Sequence, residues 1–436
     1  MLRLAVPAFL ALVAEPLFLL ADSAIIGHLG VVPLAGLGVA SSVLITAAGI
    51  FVFLAYATTS VVSRRLGAGD LRGAISEGLD GLWLAVGLGV VTAVGVGLAA
   101  EPLCAWFGAS ADVQEQAVTY LRVSAAGIPG MLVVLGATGI LRGLQDTRTP
   151  LVAAVTGFGA NIVLNLVFVY GLGLGIAGSA LGTVIAQTGM AVGLVTVVVL
   201  KALPLQARLR PHPAGVLRAA IGGFPLLVRT LALRAVILAT TAVAARYGDA
   251  SLAAHQLVST VWSFLAFALD ALAIAAQSLT GKSLGAGDAA QARDSATTVT
   301  RWGLLGGVVT GLVVLPLSPV IGRAFTTDPA VVQAAAWAFA VVALTQWIAG
   351  YAFVLDGVLM GAGDTVWLAA AMVVAAAVWI PVVLALSRDG AVLPGSFGHP
   401  LGGLWLWFGA GFMGLRALAL WWRSRSDAWL VTGAIR

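Results

Sequence analysis

Glu15 and Asp22 stand seven residues apart in a run that is otherwise almost wholly apolar from Leu4 to Gly27. Seven residues is close to two helical turns, so a helix here presents both carboxylates on one face. Pro16 lies between them and removes one backbone hydrogen bond, which lets the helix bend between its two acids. Asn161 and Asn165, four residues apart, also share a helix face, and Asp270, Asp356 and His255 sit in apolar runs of the second half. Carboxylates held away from water bind and release protons, and amides beside them supply hydrogen bonds. Keeping an Asp at the centre of a membrane helix costs about 2.5–3.5 kcal/mol, and residues retained at that cost usually serve a function. Each acid also has a plainer reading, pairing with a buried donor, for which Arg229 and Arg234 are the candidates. Asn161 and Asn165 alternatively tie helices together, and His255 alternatively ends a helix.

Covalent chemistry lacks its parts. No HExxH, DDxxD or nucleophile-elbow pattern is present, and the single Cys104 rules out an internal disulfide and a Cys-based metal site. Gly173-Leu174-Gly175-Ile176-Ala177-Gly178 matches the dinucleotide fingerprint only on paper. It follows an apolar helix rather than a strand and has no acid about 20 residues on. Gly281-Lys282-Ser283 resembles the end of a phosphate loop whose first glycine is replaced by Ala276. The expectation is a protein that is not an enzyme, with no catalytic residues, no metal and no cofactor.

The elements that hold these residues must lie in lipid. The chain is 60% hydrophobic and 9% charged, against about 25% charged in soluble domains. A spanning helix needs about 20 apolar residues. Such runs fall at roughly 4–27, 34–62, 76–100, 117–141, 150–171 and 176–200, then at roughly 219–246, 251–280, 297–321, 331–360, 366–386 and 401–422. That gives twelve predicted helices in two sets of six. The two sets are duplicates. Leu66-Gly67-Ala68-Gly69-Asp70 returns as Leu284-Gly285-Ala286-Gly287-Asp288, Gly143, Asp146 and Thr147 return as Gly361, Asp364 and Thr365, and Pro7 returns as Pro225, all at one offset of 218 residues. The paired LGAGD loops read as turns with a helix-capping Asp. Because Pro7 has a repeat partner, the first helix belongs to the fold rather than to a cleaved leader. The predicted organisation is an N-terminal six-helix bundle over 1–200, a cytoplasmic linker over 201–218, a C-terminal bundle over 219–422 and a cytoplasmic tail over 423–436.

Basic residues crowd the termini and alternate loops, among them Arg64, Arg65, Arg72, Arg142, Arg148, Lys201, Arg208 and Lys282, while the opposite loops hold Arg246, Arg323 and Arg388. The positive-inside rule then puts both termini in the cytoplasm of a multi-pass inner-membrane protein. The net charge of +5 is topological, so no nucleic-acid partner is expected. Comparing the halves isolates what was added to the shared scaffold. Asp22 stands opposite Thr240, Glu15 opposite Leu233, Asn161 opposite Trp379 and Asn165 opposite Val383, while Asp270, Asp356 and His255 stand opposite Val52, Thr138 and Leu37.

The run from Glu15-Pro16-Leu17 through Asp22-Ser23 to Gly27-His28-Leu29-Gly30 resembles the multidrug and toxic compound extrusion (MATE) family. So do Leu66–Asp70, Leu141–Thr147, Asn161 through Gly178, Ala254-His255-Gln256 and Leu355-Asp356-Gly357 with Gly361–Asp364. The branch it resembles most is the DNA-damage-inducible F (DinF) type, which keeps an acid at the Asp22 position. The resemblance implies an all-α integral membrane protein of twelve transmembrane helices, two pseudo-twofold-related six-helix bundles forming a V, working as a bacterial plasma-membrane monomer. It implies export of organic cations and amphipathic drugs in exchange for protons or sodium. Asp22 matches the family's proton-linked aspartate, with Glu15 on the same face. Pro7 matches the proline near which helix 1 bends, and Tyr120, Thr138 and Asn161 match polar residues around the aspartate. With Asn165, Asp270, Asp356 and His255 these complete the candidate cavity residues. Asn165 departs from members that carry a second aspartate there, which thins a sodium ligand set and favours a proton. The rivals are a sodium-coupled antiporter, a flippase of a lipid-linked intermediate, whose cavity would be rich in Arg, and a membrane-embedded transferase, which would need an acidic metal cluster.

Overall fold

In hydrocarbon every backbone N–H and C=O must be satisfied within its own segment, so apolar runs of this length coil into helices. A computed structural model describes residues 2–396 and 398–434, apart from the side chains of Glu15 and Asp389, and all regular structure among them is helical. The chain divides into two compact units, Leu2–Phe224 and Pro225–Ala434. The first holds α1 (Leu2–Gly27), α2 (Val31–Phe51), α3 (Phe53–Gly67), α4 (Leu71–Leu98), the short α5 (Ala100–Ala105), α6 (Ala111–Ala125), α7 (Ile128–Gly143), α8 (Arg148–Leu166) and α9 (Gly175–Ala202). The division falls inside α10 (Pro213–Arg246). Then come α11 (Asp249–Gly285), α12 (Ala289–Ile321), α13 (Pro329–Gly361), α14 (Thr365–Leu386), α15 (Pro400–Leu406) and α16 (Met413–Arg425). Wider π turns extend α8 over Val167–Gly171 and join α15 to α16 over Trp407–Phe412.

Among the described residues eleven helical stretches are long and apolar enough to cross a membrane, and a twelfth span is the broken pair α6–α7. The sequence predicts one helix over 117–141. Instead α6 and α7 meet at 50°, because Pro129 at the start of α7 has no N–H to continue the ladder and crowds the preceding turn.

The duplication is visible in packing. A methyl group on Gly139 would sit 2.6 Å from the Ala55 carbonyl oxygen, and one on Gly357 would sit 2.3 Å from that of Ala273. These are the same contact at the repeat offset, α3 against α7 and α11 against α13. Further along α12, Gly303, Gly307 and Gly311 lie against the carbonyls of Gly350, Gln346 and Ala343 at 2.6, 2.5 and 2.4 Å from the methyl position. Lipid offers no hydrophobic drive between helices, so close backbone approach through small residues supplies the attraction.

The predicted linker is partly helical. After the 3₁₀ turn Leu203–Leu205 the chain is pinned to α4: Arg208 donates to Asp80 at 2.7 Å, the His212 amide to Asp80 at 3.3 Å, and Trp83 to the Leu209 carbonyl at 3.0 Å. Helix α10 already begins at Pro213, and Gly223 lies against Phe53, which draws the first turns of α10 into the N-terminal unit. The tail folds back too, with Trp429 buried and the Gly433 amide donating to the Leu284 carbonyl at 2.9 Å.

Both LGAGD loops are turns with caps. Gly69 and Gly287 take φ of +76° and +80°, and Asp70 and Asp288 accept from the Gly73 and Gln291 amides at 2.8 Å. Asp70 also receives Arg65 at 2.6 Å, where the second repeat has Ser283. Its side chain is 42% exposed, so the ion pair adds little to the cap itself. Asp70→Ala is expected to cost about 1 kcal/mol of stability, read as a lower melting temperature in detergent. The Gly73 amide, and then Arg65, hold the Asp70 carboxyl below the usual carboxylate range. Its contribution is therefore complete at neutral pH, and the gap between variant and wild type should close as pH falls through that lowered value.

Candidate functional site

Helix α1 runs unbroken through Pro7 and Pro16, and Asp22 lies on it little more than a turn from its end. Phe18 stacks on Phe158 of α8 with ring centroids 5.1 Å apart, and the Tyr170 hydroxyl donates to the Ile25 carbonyl at 2.5 Å. These contacts fix α1 against α8 on either side of the acid. Helices α8 and α9 are antiparallel neighbours across a turn in which Gly173 and Gly175 take φ of +66° and +56°, values open chiefly to glycine.

Asp22 is 2% exposed. One carboxylate oxygen accepts from Asn165 Nδ2 at 2.7 Å and Ser179 Oγ at 2.6 Å, and the other from the Tyr120 hydroxyl at 3.3 Å. One turn away, Asn161 Nδ2 donates to Thr183 Oγ1 at 3.0 Å. Asn161 and Asn165 on α8 thus face Thr183 and Ser179 on α9 as two rungs, and the second rung grips α1. Among the described residues no Lys, Arg or His pairs with Asp22. The amide oxygens of Asn161 and Asn165 are buried with no donor. The cluster therefore has surplus acceptors around one anionic group, the arrangement that attracts a proton or a small cation. A cavity of about 180 Å³ between α1 and α2 reaches Asp22.

Asn165 fits because Gly182 has no side chain: a methyl group there would sit 2.3 Å from Asn165 Oδ1. Gly182→Ala should turn the amide away from Asp22 and slow gradient-driven export by about tenfold, one hydrogen bond to a charged group. Unchanged expression and melting temperature would separate this from misfolding.

The remaining predicted residues lie elsewhere. Thr138 is buried in α7 and is not a hydrogen-bond partner of Asp22. The Glu15 side chain lies outside the described residues. In the C-terminal unit Asp356 on α13 accepts from Arg229 of α10 at 2.6 Å and from Arg416 of α16. The Arg416 guanidinium also lies 5.8 and 5.7 Å from the Phe353 and Phe412 ring centres. Asp356 therefore ties three helices together. Asp270 is half-buried on α11, a turn before the Ala273 carbonyl that meets α13. His255 is buried with its Nε2 3.1 Å from Thr241 and its ring 5.6 Å from that of Trp405, and it does not join Asp356. Arg234 is exposed, whereas Arg229 is the partner it was proposed to be.

Three groups escape the sequence reading. Ser179 and Thr183 repeat the four-residue spacing of the asparagines, which is the signal that finds them. Arg416 carried a signal as well, a guanidinium inside the last predicted span. Among the described residues no three His, Cys, Asp or Glu side chains converge in a way that could hold a metal ion.

Known proteins resemble this chain over nearly all its length. The MatE family profile matches residues 7–167 and 225–384, two segments whose starts lie one repeat offset apart. Protein DETOXIFICATION 44, chloroplastic, of Arabidopsis thaliana is 33% identical over 98% of this chain and 82% of its own length. DNA damage-inducible protein F of Escherichia coli is 28% identical over 88% of this chain and 85% of its own. A solved structure of a MOP superfamily transporter from Pyrococcus furiosus superposes with a TM-score of 0.86 at 21% identity, over 98% of this chain and 95% of that one.

Proposed function

Since the chain belongs to the MatE family of multidrug and toxic compound efflux transporters, we propose that it is a secondary antiporter that exports organic cations and amphipathic drugs in exchange for protons bound at Asp22. The observation that carries this reading is a buried carboxylate with three hydrogen-bond donors and, among the described residues, no cationic partner. Ionised, Asp22 accepts from Asn165, Ser179 and Tyr120. A proton converts one of its oxygens into a donor, and the donor-less Oδ1 of Asn165 is the acceptor that turns towards it. That rearrangement changes how α8 and α9 hold α1, and Pro7 and Pro16 are the points at which α1 yields. Protonation also removes the charge that attracts an organic cation, so drug and proton exclude one another. Each pH unit across the membrane supplies about 1.4 kcal/mol per proton, and each 100 mV about 2.3 kcal/mol per charge moved. The chain works as a monomer in a bacterial plasma membrane with both termini in the cytoplasm, the side on which Arg64, Arg65, Arg142 and Lys201 gather.

One observation favours sodium as the coupling ion: the Asn161 and Asn165 oxygens are unfilled oxygen ligands close to a carboxylate. Proteoliposomes loaded with ethidium and given either a pH gradient or a sodium gradient decide the matter. Flux under the pH gradient alone supports the proposal. Flux under the sodium gradient alone replaces the proton by sodium at the same cluster. No flux under either overturns antiport and turns attention to lipid flipping, for which Arg229 and Arg416 are poorly suited because both are bound to Asp356.

A further inference from the structure

Asp22 accepts hydrogen bonds from three helices and is also among the residues that line a small cavity. Tyr120 of α6, Asn165 of α8 and Ser179 of α9 are its hydrogen-bond donors. Towards α2 it borders the cavity of about 180 Å³, whose lining also includes Ser23, Gly38 and Ser41. Liquid water takes about 30 Å³ per molecule, so this space has room for about six. Sites for drug-sized ligands run to about 300–1,000 Å³, well above its volume. The walls are mixed, with Leu19, Leu34, Leu37 and Ile45 apolar and Asp22, Ser23 and Ser41 polar. A water needs two to four polar partners, and the lining residues with polar side chains are Asp22, Ser41 and Ser23, whose hydroxyl also donates to the Leu19 carbonyl at 2.8 Å. Gly38 keeps the passage wide, since a methyl group there would meet nothing within 4 Å. Leu34 and Ile45, also in the lining, are 39% and 45% exposed, so the cavity reaches the surface of the unit. Asp22 is the one titratable group in the lining.

We propose that the cavity between α1 and α2 is a hydrated vestibule that brings the coupling ion to Asp22 and is too small to admit the organic substrate. This rests on the antiport reading and extends it: ion and drug reach the transporter by separate entrances, and their competition is carried by the state of Asp22 rather than by overlap in one pocket.

Gly38→Leu tests it, because leucine fills open space and raises helix propensity at that position. The expected result is proton-driven ethidium efflux slowed by about tenfold or more, about 1.4 kcal/mol on the barrier, with the ethidium dissociation constant and the melting temperature unchanged. Wild-type efflux at wild-type expression in this variant overturns the vestibule. A second measurement does not depend on transport. Ser41→Cys in a chain also carrying Cys104→Ala should react with a small aminoethyl methanethiosulfonate and resist a bulky fluorescent one. Resistance to both, or equal reaction with both, overturns the proposal. If wild type itself ignores the pH gradient, the antiport reading has failed, and the labelling result alone decides whether the cavity is an open aqueous path.

Discussion

Asp22→Asn is expected to abolish gradient-driven export while leaving a folded protein in the membrane. In one-for-one exchange, a pH gradient of one unit supports about a tenfold steady-state ratio of a monovalent cation. The variant should bring that ratio to one, the level of empty vesicles. The substitution is nearly isosteric, and an amide oxygen still accepts from Ser179 at a position where the hydroxyl now lies 2.6 Å away. Since no cation among the described residues pairs with Asp22, neutralising it strands no partner charge there, and stability should change by no more than about 1 kcal/mol. Ethidium binding should lose its pH dependence as well, because the titrating group is gone. Normal export by the variant at normal expression would refute Asp22 as the coupling group and direct the search to Glu15 on the same helix.

The opposite behaviour is expected of the acid in the other unit. Asp356 holds Arg229 and Arg416, and all three are at least nine-tenths buried. Breaking a buried ion pair by removing one partner costs about 3–5 kcal/mol, because the charge left behind has neither water nor counter-ion. Asp356→Asn faces two guanidiniums with a neutral amide and is expected to lose stability on that scale, seen as a large drop in melting temperature and in membrane yield. Export per correctly folded molecule should survive. Adding Arg416→Met should restore part of the loss, since a side chain of similar length removes the stranded charge. Full stability combined with loss of export would instead make Asp356 part of the substrate path. The two aspartates thus separate by readout, one moving coupling and the other moving stability.

Much of this protein is written in local order along the chain. Apolar runs of spanning length, the constant offset between Leu66–Asp70 and Leu284–Asp288, and the face shared by Asn161 and Asn165 follow from composition and from 3.6 residues per turn, which need no knowledge of neighbours. The acid at position 22 was conspicuous for the same reason: charge in lipid is costly wherever it lies. Other features depend on which helices meet and how each is rotated, and no local pattern encodes that. Asp22 and Asp356 look alike as sequence, yet one meets hydroxyls and amides and the other meets two arginines. Ser179 became a partner of Asp22 only when α9 was laid beside α8 across Gly173 and Gly175. The bend at α6–α7 needed the steric effect of Pro129, and the α1–α2 cavity needed two helices that fail to close around Gly38. Periodicity is a property of one helix and can be read from the chain; pairing and empty space belong to several helices at once, and only their packing decides them.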